Sequence, residues 1–194
     1  MVSITQGYNR SCKSSIGGVK KVYFFSFVKY ARSLITLNSN ILTTFPATTI
    51  YDFDGFESGG FSESMQEDEG GKFVSQKIDL TFKNSGLNFL DFQKLLYKDI
   101  RLIIEDYNGN KRILGLYNGL EVTNLKSDIG TSKSSLNGFS LSVEGNELIS
   151  APFINNLNDA GFTISGTEET FYRITQSGDF RITQDNNNRI TQNG

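Results

Sequence analysis

Residues 100–125, IRLIIEDYNGNKRILGLYNGLEVTNL, hold two Asn-Gly pairs, at 108–109 and 118–119, between runs of β-branched and aliphatic residues. Asn-Gly takes positive φ at both centres of a two-residue hairpin turn more readily than almost any dipeptide, so this stretch is committed to antiparallel strands. Taken as such a turn, Asn108-Gly109 predicts Tyr107 opposite Asn110, Asp106 opposite Lys111, Glu105 opposite Arg112 and Ile104 opposite Ile113. Two successive opposite-charge pairs agree with that register. Asn118-Gly119 predicts a second reversal and hence a three-stranded meander.

The rest of the chain carries the same signals. GGVKKVYFFSFV turns from two glycines into an aromatic, β-branched run and predicts a first strand over Val19–Val28, with shorter strands at Leu34–Leu37, Ile41–Phe45 and Thr48–Phe53. In KFVSQKIDLTFK, Val74, Ile78, Leu80 and Phe82 share one face while Lys77, Asp79, Thr81 and Lys83 share the other, the pattern of a half-buried strand. NSGLNFLDFQKLLYKD changes period: Phe89, Phe92 and Leu96 fall at helical spacing with Asn88 placed to cap, so one helix is expected over Asn88–Lys98. A further strand pair is expected in LNGFSLSVEGNELISAPFI. Between the early strands and residue 77 lies DGFESGGFSESMQEDEGGKF, glycine-rich and acidic, which reads as a hairpin excursion from the domain.

Many short strands with turn signals and one helix predict a mainly β fold: an antiparallel β-sandwich or barrel with one flanking α-helix, a protruding hairpin and a repetitive C-terminal tail. The expected organisation is an arm at residues 1–18, a β-sandwich domain at 19–168 with the hairpin excursion at about 56–76, and a tail at 169–194. Length agrees, since 194 residues suit one domain with appendages. So does composition: 16 Phe, 8 Tyr and 19 Gly against 2 Pro favour strands and turns over packed helices.

Several function classes lose support. A formal charge of −2 gives no general attraction to nucleic acid or to an anionic membrane. Cys12 is the single cysteine, so neither an intrachain disulfide nor a cysteine zinc cluster can form within one chain. With no histidine, Ser-His and Cys-His nucleophile pairs are absent. Glu67, Asp68 and Glu69 are adjacent, so on a strand they point in alternating directions and not at one substrate. Asp52, Asp54 and Glu57 in YDFDGFESGG lack the late glycine and distal glutamate of a calcium loop, and EGGKF has Phe73 where a phosphate loop needs Ser or Thr. Asn9-Arg10-Ser11 matches a short glycosylation pattern that recurs by chance, and Lys20 and Lys21 beside aromatics read as ordinary exposed lysines of a strand edge. No catalytic, cofactor-binding or metal-binding residue is expected. No apolar run approaches the ~20 residues of a membrane helix, and residues 1–18 lack a signal-peptide core. A soluble protein without membrane contact, made in a reducing cytosol, is the expectation.

The order of an N-terminal arm, a strand after GGVKKVY, an acidic hairpin, an alternating strand, one helix, the meander RLIIEDYNGNKRILGLYNGLEV and the closing NGFSLSVEGNE resembles the tail tube (major tail) proteins of tailed phages. CKSSIGGVKKVYFF with the later LGLYNGLEV is similar to virion proteins carried by phages of Bacteroidetes hosts. The resemblance spans roughly residues 1–155. It implies a β-sandwich with a helix on its flank, assembling into homo-hexameric rings that stack into a hollow tube within the virion tail. DNA would pass through the lumen without specific binding during genome ejection, and other phage tail proteins would be partners. Arm and hairpin would contact neighbours, making Phe61, Met65, Glu67, Asp68, Glu69, Lys72 and Phe73 interface candidates. A head-to-tail connector, tail terminator or baseplate ring protein, and a bacterial contractile device, are neighbouring readings. A carbohydrate-binding β-sandwich is the alternative of another class.

The chain closes on FYRITQSGDFRITQDNNNRITQNG, in which Arg-Ile-Thr-Gln recurs at 173, 181 and 189. Because eight is even, Ile174, Ile182 and Ile190 share one side of an extended chain, with Arg173, Arg181 and Arg189 on the other. The turn-rich linkers SGDF and DNNN allow a small repeated β module, though so short a repeat buries little by itself.

Overall fold

The computed structural model describes residues 16–52, 56–83, 93–94, 97–128, 137–165, 172–174 and 180–182. The protein is mainly β. Strands β1 (Val19–Ser26), β2 (Thr36–Asn38), β3 (Ile41–Thr44) and β4 (Thr48–Asp52) come first, with a 3-10 turn at Arg32–Leu34 between β1 and β2. The hairpin β5 (Phe56–Asp68) and β6 (Gly71–Lys83) follows, then β7 (Ile100–Asp106), β8 (Lys111–Leu114), β9 (Glu121–Asp128), β10 (Gly138–Glu147), β11 (Phe153–Ile154) and β12 (Phe162–Ser165). A separate pair, β13 (Tyr172–Ile174) and β14 (Phe180–Ile182), lies in the tail.

Two sheets, curled into a half-barrel, carry the fold. An eight-stranded sheet runs β12-β4-β1-β7-β8-β11-β3-β2, and a four-stranded sheet runs β5-β6-β10-β9. The large sheet is covered on both faces, which explains why β1 and β7 read as nearly continuous apolar runs. Val22, Phe24, Ile100, Leu102 and Ile104 meet Ile78, Leu80, Phe82, Phe139, Leu141 and Val143 of the small sheet in one core. Tyr23, Phe25, Ile103 and Ile113, on the opposite face, join Phe45, Leu157 and Phe162 in a second core. The small sheet has one apolar face, and its strands alternate accordingly.

Several expectations from the sequence need correction. The hairpin at Asn108-Gly109 is one residue out of the predicted register: Glu105 faces Lys111, Ile104 faces Arg112 and Ile103 faces Ile113. Of the turn residues only Gly109 has positive φ, at 83°, so a type I′ turn does not form. Asp106 is the reason. Its carboxylate accepts hydrogen bonds from the Asn108 and Asn110 backbone N–H groups, 2.8 Å each, and from Asn110 Nδ2, and so closes a longer turn. Lys111 accordingly pairs with Glu105 at 3.4 Å instead of Asp106.

The three-stranded meander is also not formed. After β8 the chain bends at Gly115 (φ 69°) and Gly119 (φ 82°) and carries β9 into the small sheet, leaving one bridge, Ile100 to Leu120. The strands expected within residues 136–154 exist as β10 and β11, but they pair with β6 and β9, and with β3 and β8, and not with each other. Leu34 falls in the 3-10 turn and not in a strand. Of the predicted helix Asn88–Lys98, Gln93 and Lys94 are helical, Tyr97 and Lys98 form a turn, and the rest lies outside the described residues.

The hairpin at 56–76 is longer than expected, and its base belongs to the domain. β5 and β6 are 13 residues each, and Phe56 and Phe61 pack on the first core. The last β10 pairing on β6 is Glu147 with Val74, so the hairpin end from Gln66 to Phe73 extends past the neighbouring strand.

Candidate functional site

The face of the small sheet turned away from the core has a uniform chemistry. Cross-strand pairing puts Ser58 with Thr81, Ser62 with Lys77 and Ser64 with Ser75, then Ser140 with Thr81, Ser142 with Asp79 and Glu144 with Lys77, and Lys126 beyond Ser140 on β9. Each lysine in this set has a carboxylate partner: Lys77 with Glu144, Lys83 with Glu57, and Lys126 with Asp128 at 3.1 Å. Asp79 accepts a hydrogen bond from Ser142 Oγ at 2.6 Å. The Glu144 contact raises the Lys77 pKa, through its hydrogen bond first and its charge second, so the cation stays committed to that carboxylate. The result is a broad hydroxyl-rich surface with little unbalanced charge.

Both lateral edges of this sheet, β5 and β9, lack a further strand among the described residues. Of the interface candidates, Met65 is 83% exposed, and Glu67, Asp68, Glu69 and Lys72 are exposed at the hairpin end, with Glu67 and Lys72 paired at 3.6 Å. Gly70 N–H donates to Asp68 Oδ1 and Gly71 takes φ 120°, which sets the turn. Phe73 is half-buried, and Phe61, also half-buried, packs against the first core. In the tail, Arg173 faces Arg181 across β13 and β14, Ile174 faces Phe180 and Ile182 faces Tyr172; Arg189 and Ile190 lie outside the described residues.

A cleft of about 380 Å³ opens beside the middle of β5. Its floor is Val19, Phe61 and Ile104, and Glu63, Asp106, Asn110 and Arg112 stand on its rim. Glu63 ties β5 to the large sheet, with Oε1 at 3.4 Å from Arg112 Nη1 and Oε2 accepting from Ala151 N–H at 2.9 Å. Arg112 also lies over the Phe153 ring, 4.2 Å from its centroid. Asp106 titrates below its ordinary value: burial pushes it up, but the hydrogen bonds from Asn110 and Asn108 outweigh that.

A second polar group is internal and builds the bend that sends the chain from one sheet to the other. Arg101, Gln76 and Glu147 are each 1% exposed. Arg101 donates to the carbonyls of Gly115 and Leu116, and its guanidinium sits among Phe27, Tyr30 and Phe45. Gln76 Oε1 accepts from Gly115 N–H at 3.0 Å, and Glu147 Oε1 accepts from Tyr117 and Asn118 N–H at 2.9 and 2.8 Å. Burial lowers Arg101 to about 10 and raises Glu147. This cluster holds the backbone of the bend. Sequence reasoning missed Glu63, Gln76 and Arg101, yet each carries one signal: a polar residue on the apolar phase of a strand, as in Phe61-Ser-Glu63-Ser-Met65 and Val74-Ser-Gln76-Lys-Ile78.

Among the described residues no group of three acidic, cysteine or histidine side chains is placed to hold a metal ion, and no helix is long and apolar enough to cross a membrane. No family model, no curated protein and no solved structure matches this chain.

Proposed function

We propose that this chain is a self-assembling structural subunit of the tail tube type, a mainly antiparallel β-sandwich that closes into rings, stacks into a tube and carries phage DNA through its lumen. The observation that carries the reading is the small sheet. Among the described residues its two edges, β5 and β9, carry no further strand, and its outer face is hydroxylated and charge-balanced. Joining the β5 edge of one subunit to the β9 edge of the next is a head-to-tail contact, and such contacts generate rings when the rotation closes. The paired sheets then form a continuous inner wall. The lysines described on this wall, Lys77, Lys83 and Lys126, are each neutralised by a carboxylate, which weakens its hold on a phosphate and lets a polyanion slide along it. In this reading the hairpin end from Gln66 to Phe73 reaches beyond the wall to the adjacent ring.

Negative-stain electron microscopy and light scattering of the purified protein test the reading. Rings that stack into tubes are expected. Closed rings that never stack would transfer the reading to a connector, terminator or baseplate ring, and a monomer that stays monodisperse at high concentration across a range of salt would overturn it.

A further inference from the structure

Three Asn-Gly pairs lie among the described residues, at 108–109, 118–119 and 137–138, and the fold treats them differently. In such a pair the glycine nitrogen can attack the asparagine side-chain carbonyl, because no Cβ shields the approach, and the amide is converted to a carboxylate with loss of ammonia. The reaction needs room for the torsions around the glycine and access for water. It is helped by a donor aimed at the oxygen on which negative charge builds.

Asn108-Gly109 meets all of these conditions. Both residues are exposed, and a Cβ placed on Gly109 would meet nothing within 4 Å. Ile16 N–H donates to Asn108 Oδ1 at 3.1 Å, and the Ile16 carbonyl accepts from Asn108 Nδ2 at 3.0 Å. The first of these bonds points at the atom that becomes an oxyanion when the Gly109 nitrogen adds to Cγ. The Gly109 N–H bond to the Asp106 carbonyl, 3.1 Å, lies in the same exposed turn and outside both cores, so it opens by local fraying. The other two pairs are locked. A Cβ on Gly119 would meet the Phe27 ring at 2.9 Å and Asp99 Cβ at 3.2 Å, and the Asn118 N–H is held by the buried Glu147 carboxylate. Gly138 lies in β10 between Lys83 and Asp128, with the Phe82 carbonyl oxygen where its Cβ would stand.

The product could not keep the clamp. Aspartate, or isoaspartate with its extra backbone atom, has no Nδ2 to give to the Ile16 carbonyl. It also sets a second carboxylate in the turn that Asp106 closes, where like charges repel. Gly18, two residues beyond Ile16, lines the cleft, and a Cβ on it would lie 3.5 Å from the Tyr107 ring and 3.9 Å from the Gly59 carbonyl oxygen. Release of Ile16 therefore loosens the rim of the cleft.

We propose that Asn108 is a site of spontaneous deamidation assisted by the Ile16 N–H, and that its conversion irreversibly frees the approach to β1 from the turn between β7 and β8. Hydroxide takes the proton from the Gly109 nitrogen, the N–Cγ bond forms, and Oδ1 holds the displaced electron pair under the Ile16 N–H. That pair returns as the Cγ–Nδ2 bond breaks, and the nitrogen leaves as ammonia with a proton from water, which restores hydroxide. One water then opens the cyclic imide to aspartate or isoaspartate. None of this depends on the tube reading.

The test is incubation of the full chain in mildly alkaline water enriched in heavy oxygen, followed by peptide-resolved mass spectrometry. Asn108 should take up the label at least ~10-fold faster than Asn118 and Asn137 in the folded protein, while in urea, where the chain is unfolded, the three rates converge. Ile16→Pro removes the N–H and should slow the reaction at Asn108 at least ~5-fold. Ile16 is 63% exposed and belongs to neither core, so the variant keeps its fold, which thermal unfolding checks. If the clamp merely shielded Asn108, Ile16→Pro would react faster than the wild type, and that result overturns the assistance. Folded-state rates that are equal at Asn108 and Asn118, or an Asn108 that stays intact while Asn118 reacts, overturn the site. Amide hydrogen exchange on the aged protein reads the release: Ile16 and Gly18 should exchange at least ~5-fold faster than in fresh protein while Leu102 and Ile103 are unchanged, and an unaltered Ile16 overturns it.

Discussion

Glu147 offers the sharpest check on how the fold turns its corner. Its Oε1 holds the Tyr117 and Asn118 N–H groups, and the bend they belong to carries β9 into the small sheet. Substituting alanine strips the acceptor from two backbone donors in the bend. At about 1–3 kcal/mol for each donor left without a partner, Glu147→Ala should cost about 2–6 kcal/mol. Glu147→Gln keeps an oxygen in place and removes only the charge. Burial raises the Glu147 pKa against the pull of the Asn118, Tyr117, Leu148 and Gly119 backbone groups, so the folded state holds its proton more tightly than the unfolded chain. A carboxyl raised in this way contributes stability that is fully present below its unfolded value of about 4.5 and is lost as pH rises through the folded value. The glutamine variant cannot lose it. Arg101 opposes part of this gain, because the Glu147 charge supports its guanidinium. Urea unfolding at several pH values from 4 to 8 should therefore show Glu147→Ala strongly destabilised and Glu147→Gln close to wild type, with a flatter pH dependence. If both variants lose equal stability, or if the glutamine variant keeps the wild-type pH slope, the assignment of this carboxylate to the bend is wrong.

Tyr23 is pushed up to about 12 by burial, with Asp52 and then Glu105 adding to the shift, so it stays protonated in the fold when the unfolded chain would ionise near 10. Its contribution is complete below pH 10 and lost between 10 and 12, about 2 kcal/mol that Tyr23→Phe should not lose; identical alkaline unfolding curves for the two proteins would count against it. At Gly109, with φ 83° and open space where a Cβ would stand, Gly109→Val should cost about 1–3 kcal/mol from backbone strain alone, and a variant as stable as the parent in thermal unfolding would contradict the turn geometry.

Strand identity was legible in this chain because alternation and sheet burial are the same fact read twice. Val74, Ile78, Leu80 and Phe82 are all buried on one face of β6, as their spacing requires. Pairing was less legible, since it depends on groups far apart in sequence. Two Asn-Gly pairs look alike, yet Asp106 converts the first into a longer turn and shifts the register by one residue, while Arg101, Gln76 and Glu147 turn the second into a crossing between sheets. Those three side chains come from β7, β6 and β10, so no local window could reveal that they meet. The acidic hairpin was misjudged in a related way. Glycines and acidic residues make the segment read as an excursion, yet Phe56 and Phe61 seat β5 on the first core, and a charged residue adds to the attachment.

That residue is Glu63, and it separates two kinds of stability in the hairpin. It sits on the inward phase of β5 between Phe61 and Met65, opposite Gln76, and its carboxylate reaches Arg112 on one oxygen and Ala151 N–H on the other. The ion pair is partly solvated, with side-chain exposures of 24% for Glu63 and 33% for Arg112, so it is worth about 0–1 kcal/mol. The bond to Ala151 N–H adds about 1–2 kcal/mol, because that donor is partly buried and has a charged acceptor. Glu63→Ala should therefore lower global stability by about 1–3 kcal/mol, and Glu63→Gln, which can still accept from Ala151, by less than about 1 kcal/mol. The larger effect should be local. Among the described strands, β5 and β6 beyond Met65 and Val74 pair only with each other, so loosening the attachment at Glu63 lets the end open without unfolding the cores. Amides from Phe61 to Phe73 should exchange faster in Glu63→Ala while those of β1 and β7 keep their wild-type rates. Uniformly faster exchange across all strands would mean that the hairpin is bound into the global unfolding unit and that Glu63 is not its separate staple.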